Sequence, residues 1–412
     1  MKRIILTLTS FLLLIPALAQ ENSSQLKFQL YGFVRSDFFY DSRQSTTAIE
    51  GLFFLYPKDK ELDAVGNDLN ANPVSGFYSL ATRTGVDISG LRAFNADVTA
   101  RMETDFAGFS GSVTLLRIRL AFIRMNWNKS SLLIGQNWHP LFQTLIPRQI
   151  TLSAGAPFQA FARSPQIRYD YRLNNFTLSA AGIYQFQHTS AGPIGKSNVY
   201  QKNALLPELT AVVDYTNQSI NTGIGVNLLT LKPRLSSQID DRIYKVDENL
   251  SSLSFQAYLR YTENLFSIGL KTTYGQNNGN LTMLGGYGIK SIDPETGKQE
   301  YTNFNFSSSF LNLSYGNKYR GNLFVGYTKN CGTDHALVEN SPIYGDGMTI
   351  DNLTRLAGTF SYHIPHFMLG VEYEYSIANY GSANSFDWSK GRYSSTHAVS
   401  NHRITGVISY IF

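Results

Sequence analysis

The chain has 412 residues, with 35 Lys and Arg against 30 Asp and Glu, a formal charge of +5 and one cysteine. That balance excludes a strongly basic surface for nucleic acid, and a single cysteine, Cys331, leaves no disulfide framework. Tyr (25), Phe (27) and Gly (33) are abundant, yet no stretch after the N-terminus approaches the ~20 consecutive apolar residues of a membrane helix.

The chain opens with Lys2 and Arg3, an apolar run over 4–16 and the small-x-small site Ala17-Leu18-Ala19. This is a secretory signal peptide over 1–19, too short in its apolar run to be an anchor. The mature chain is expected over 20–412. Cleavage removes two bases and no acid, which brings the charge closer to neutral.

Residues 25–41 alternate with period two, which sends neighbours to opposite faces of a strand. Leu26, Phe28, Leu30, Gly32, Val34, Phe38 and Tyr40 form one face; Lys27, Gln29, Tyr31, Arg35, Asp37 and Asp41 form the other. Residues 42–76, with Pro57, Gly66, Asn67, Asn70, Asn72 and Pro73, have loop chemistry. Residues 77–90 return as a strand with Arg83 and Asp87 on its polar face.

The stretch 94–127 holds two strands around a glycine turn. Asp97, Thr99, Arg101, Glu103 and Asp105 alternate with Ala96, Val98, Ala100, Met102 and Phe106; Arg117 and Arg119 alternate with Leu116, Ile118 and Leu120. One face is apolar and the other crowded with charge. Residues 132–138 are the next strand. Residues 139–165 have no alternation, contain Pro140, Pro147 and Pro157, and carry Arg148 and Arg163 with no acid. Residues 166–172 set Arg168, Asp170 and Arg172 against Ile167, Tyr169 and Tyr171.

Continuing to the end gives sixteen strands, or eighteen if 277–303 hides a hairpin. Short and long connections alternate throughout. Cys331 is expected in a loop, and His363 and His366 flank a turn rather than hold a metal. The last strand alternates through Ile404, Gly406, Ile408 and Tyr410 and stops on Phe412. The fold class expected is all-β: a transmembrane antiparallel β-barrel of about sixteen strands, with short periplasmic turns and long extracellular loops. A barrel of this size leaves an aqueous channel. The interior charges are then pore-lining: Arg35, Arg83, Arg101, Arg117, Arg119, Arg168 and Arg172, interleaved with Asp97, Glu103 and Asp105. If 139–165 folds inward, Arg148 and Arg163 join the constriction without an acid on that segment, and the pore is expected to favour anions.

The order and spacing of GFVRSDFFYD, ATRTGVDISG, METDFAG, LRIRLAFIRMNW and LLIGQNWHPLF resemble the DcaP-like porins of Gram-negative outer membranes, in the form common in Bacteroidetes. The resemblance covers residues 31–171. It implies a homotrimeric sixteen-stranded porin in outer-membrane lipid, with a positive constriction passing small anionic solutes such as dicarboxylates. Phe412 resembles the terminal signal read by the barrel assembly machinery. No catalytic constellation, metal site or cofactor is expected, since no GxSxG motif is present and the seven histidines are scattered. The competing expectation is a non-conducting barrel that binds partners through its outer loops.

Overall fold

A computed structural model describes residues 25–108, 115–382 and 384–412. The signal peptide read from the sequence lies outside the described residues, as does most of the glycine turn at 107–112.

One large sheet closes on itself. Its sixteen spanning strands are β1 (Lys27–Asp41), β2 (Arg83–Ala93), β3 (Ala96–Asp105), β4 (Arg117–Asn126), β5 (Ser130–Trp138), β6 (Arg163–Leu173), β7 (Phe176–Ile183) and β8 (Glu208–Thr216), then β9 (Ile220–Leu231), β10 (Leu250–Glu263), β11 (Phe266–Gln276), β12 (Gln299–Gly316), β13 (Tyr319–Thr333), β14 (Ile350–Ile364), β15 (Phe367–Gly381) and β16 (Thr396–Ile411). Each pairs antiparallel with its neighbours in sequence. β1 closes the ring on β16, with Phe33 opposite Ile411 and Asp41 opposite Arg403. Gly32 and Phe412 exchange both backbone hydrogen bonds at 3.0 Å. Closure leaves no edge strand, which backbone groups in a hydrocarbon layer require.

Alternation decides which face meets which solvent. On β10, Leu253, Phe255 and Leu259 are exposed outward, while Ser252, Ser254 and Gln256 are buried on the inner side. On β1, Phe28, Leu30, Val34 and Phe38 are exposed outward and Asp37 and Asp41 are buried inward. An apolar outer band with a polar interior is the arrangement of a membrane barrel.

Four details differ from the sequence expectation. The strand expected over 77–90 is two pieces: Val74–Tyr78 pairs with the outer half of β1 and β2 with the inner half, with a break at 79–82. Gly285–Ile292 pairs with β12 and with Ile343–Asp346 as a raised rim, so 277–303 adds no spanning hairpin and the wall has sixteen strands. Cys331 lies in β13, not in a loop. Finally, Leu120 does not continue the outer face. A bulge opposes Arg119 and Leu120 to Glu103 alone, and Leu120 is buried at 5% exposure while Ile118 and Ile123 stay outside. An extra residue in one strand breaks the parity at that point.

Candidate functional site

Three described segments meet inside the barrel, one of them the turn at 278–284, whose Leu281 carbonyl accepts from the Phe161 amide; the other two frame the site. The first is 139–162, between β5 and β6. His139 caps the single helical turn α1 (Pro140–Gln143), accepting at Nδ1 from the Leu141 amide. The wall then fixes the segment along its length. Lys271 of β11 donates to the Leu141 and Leu145 carbonyls. Arg260 of β10 donates to Ile146, and Asn312 of β12 accepts from the Arg148 amide. Arg35 of β1 donates to the Ile150 carbonyl, and Glu372 of β15 accepts from the Ile150 amide. Arg355 of β14 donates to the Ala156 carbonyl. These partners come from two groups of neighbouring wall strands, β10–β12 and β14–β15, and from β1, and every one lies on an inner face. The second segment is the hairpin Ser45–Ala48 with Phe53–Pro57, which the sequence presented as part of a long outer loop.

Between these segments and the wall of β2–β6 lies a cavity of about 720 Å3. Cross-strand register assembles its charged side. Arg83 on β2 stands opposite Asp105 on β3, which stands opposite Arg117 on β4. Arg117 grips Asp105 with two bonds of 2.9 and 2.7 Å. Arg119 bridges Glu103 and Asp105, each at 2.8 Å. Arg83 is 3.6 Å from Glu103. Three guanidiniums thus share two carboxylates. Gln136 of β5 donates to the Ile118 and Arg119 carbonyls at the bulge, and Gln187 also donates to Ile118.

Arg163, at the start of β6, adds a fourth cation. It is 1% exposed, lies 4.6 Å from the Trp138 ring, and reaches Gln187 at 3.4 Å. Among the described residues no carboxylate stands within ion-pair distance of it, and its Nη1 has no hydrogen-bond partner. Trp138, Phe142, Phe161 and Phe53 pack as an aromatic cluster beside it, with Trp138 and Phe142 stacked at 4.2 Å. His188, in the 184–207 connection, closes another side and meets Phe161 edge-on. Burial, together with the nearby Arg163, Arg117 and Lys196, pushes its pKa down to about 3.

The other charges named from the sequence are spread out. Arg101 pairs with Asp87 at 2.6 Å, and Arg168 with Asp170 at 2.6 Å; neither pair touches the cavity. Arg35 pairs with Asp37 and buttresses Ile150. Arg148 bonds Ser314 of β12. Asp97 pairs with Arg92, both largely exposed beside the Ala93–Ala96 turn, and Arg172 is exposed beside the turn at 174–175. So Arg83, Arg117, Arg119, Arg163, Glu103 and Asp105 come together, whereas Asp97 and Arg172 lie at the rim. Sequence reasoning missed Lys271, Arg355 and Arg403, each placed inward by the alternation of its strand, and missed the hairpin, whose apolar run GLFFLYP is out of place in a solvated loop.

A scan against family models finds none that matches, and a search of curated proteins finds no relative. Solved structures do match. The outer membrane channel DcaP of Acinetobacter baumannii is 18% identical with a TM-score of 0.65, covering 95% of this chain and 99% of that one. OmpT, an outer membrane protein of Vibrio cholerae, is 12% identical with a TM-score of 0.56, covering 94% and 98%. An anion-selective porin from Comamonas acidovorans is 9% identical with a TM-score of 0.53, covering 94% and 100%. What these likenesses share with the chain is architecture along nearly its whole length: it has the sixteen-stranded barrel fold of outer-membrane porins and channels.

Proposed function

We propose that the protein is a DcaP-like porin of a Gram-negative outer membrane, a passive diffusion channel for small hydrophilic solutes with a preference for anions. The observation that carries this is the charge count at the cavity: Arg83, Arg117, Arg119 and Arg163 against Asp105 on the lining and Glu103 beside it, with Lys196 and Asp346 on the lining offsetting each other as a pair. An excess of guanidinium in a confined, poorly solvated passage attracts anions and repels cations. A guanidinium fork suits carboxylates, so small mono- and dicarboxylates are the solute class. The fold shared with an anion-selective porin supports the reading, and OmpT, solved in a trimer form, supports a homotrimer. Export by the N-terminal signal peptide and recognition of Phe412 by the barrel assembly machinery complete it. The pore-lining role extends to Arg35, Arg101, Arg148 and Arg168 as a ladder of cations along the interior, with Arg172 and Asp97 at its rim.

Planar-bilayer recording of the mature protein under a KCl gradient tests this. Discrete conductance steps with a reversal potential toward chloride are expected, and Arg163→Gln should reduce that preference. Cation preference in the wild type would overturn the charge argument. Absence of steps would favour a non-conducting binding barrel.

A further inference from the structure

The hairpin over 45–57 is held to the wall more firmly than an outer loop requires. Phe54 is fully buried. Its ring lies 4.7 Å from the Arg355 guanidinium of β14 and 5.4 Å from that of Arg403 of β16. Two guanidiniums on one shielded ring form a strong cation–π clamp. The same two arginines take the hairpin's backbone: Arg355 donates to the Leu55 carbonyl at 2.5 Å and Arg403 to the Gly51 carbonyl at 2.8 Å.

The tip permits little variation. Gly51 has φ +86°, and a Cβ there would run into the Phe39 ring of β1, so only glycine fits. Arg355 also holds Ala156, so one guanidinium ties the hairpin to the 139–162 segment. Phe53 meets Phe161 edge-on at 4.9 Å. Thr46, Ile49 and Leu55 of the hairpin line the same cavity as Arg83, Arg117 and Arg119.

We propose that the hairpin over 45–57 is a second constriction element, set against the arginine wall by the Arg355–Phe54–Arg403 clamp, and that it limits the size of solute the channel passes. The proposal rests on the porin reading for the identity of what passes, an anion in water. It goes beyond that reading by assigning size exclusion to a segment other than 139–162. The arginines supply charge selectivity and the hairpin supplies bulk, so the two properties separate by mutation.

The test is single-channel recording of the full-length mature protein. One variant replaces 46–56 by a short Gly-Ser linker, and a second is Phe54→Ala, with Phe54→Tyr as the conservative control. Barrel closure is checked by heat-modifiable migration on gels. Removing the hairpin should raise conductance about twofold and admit larger polyethylene glycols, with chloride preference retained. Phe54→Ala should give intermediate, noisier currents and Phe54→Tyr wild-type ones. Unchanged conductance and size limit in a closed hairpin-less barrel overturn the proposal and leave the porin reading standing. A silent wild type with a conducting hairpin-less variant overturns the open porin and keeps the hairpin as an obstruction. Silence in both overturns both. If the hairpin-less chain does not close, Thr47→Cys with Cys331→Ser decides: a charged thiol reagent should block the current, and an unaltered current overturns the proposal.

Discussion

Lys271, fully buried on β11, donates its ammonium to the Leu141 carbonyl at 2.7 Å, and the same nitrogen reaches the Leu145 carbonyl at 3.3 Å and Gln159 Oε1 at 2.9 Å. Its hydrogen-bond partners are neutral, so three oriented dipoles compensate the charge. They come from both ends of the 139–162 segment, so Lys271 cross-braces it. Lys271→Met should leave those acceptors unmet and cost about 2–5 kcal/mol. A lower urea midpoint in detergent and larger open-channel current fluctuations are the expected readouts.

Asp105 stands between Arg117 and Arg119 and is buried with them. Removing one partner of a buried ion network strands the others. Asp105→Asn should destabilise the barrel by about 3–5 kcal/mol, seen as a lower temperature for loss of the heat-modifiable form. The surviving protein should be more anion-selective than the wild type. A shift of the reversal potential toward potassium would contradict the charge count.

Gln136 answers two carbonyls at the bulge. Gln136→Leu keeps the bulk and removes both bonds; Ile118 retains the bond from Gln187, so the cost is about 1–3 kcal/mol for the Arg119 carbonyl left dry. Because the bulge sets the aim of Arg119, the variant should also weaken selectivity. A fall in stability with selectivity intact would limit Gln136 to a structural role.

The neutral imidazole of His188 is the form the fold accepts, since burial and the neighbouring cations hold its pKa near 3. A depressed histidine contributes stability above the unfolded pKa of about 6.5, and that contribution is lost as the pH falls from there toward 3. Thermal unfolding between pH 8 and pH 4 should therefore show a steeper acid loss for the wild type than for His188→Phe. Parallel curves would remove His188 from the account.

Where a strand alternates without interruption, its two faces could be read directly: Phe28 and Leu30 outward, Asp37 and Asp41 inward, and the arginines of β3 and β4 on the side of Glu103 and Asp105. Parity needs only the chain itself. Leu120 escaped because a bulge is defined by the partner strand's register, which one strand does not carry. That 139–165 is not a strand was legible from its prolines and lack of alternation; its inward turn stood only as a condition, because the anchors Lys271, Arg355 and Glu372 are remote in sequence and meet it only after closure. The hairpin was hidden by composition. Pro57, Gly66 and the asparagines around it have loop chemistry, and they outweighed the run of Leu52 to Tyr56, whose burial needs a wall to rest on. Among the pore charges, residue type and face were readable, but height along the barrel was not, so Asp97 and Arg172 look equivalent to Asp105 and Arg163 until the strands are set side by side.

The paired hydrogen bonds between Gly32 and Phe412 join the first and last strands of the wall. Loss of β1 or β16 leaves two strands with bare amides and carbonyls facing hydrocarbon. The seam therefore makes β1 and β16 interdependent: a polypeptide lacking either strand has no closed cylinder to offer the membrane. A fusion appended after Phe412 would burden the seam itself, whereas the outer connections at 232–249 and 382–395 can carry an epitope without touching it.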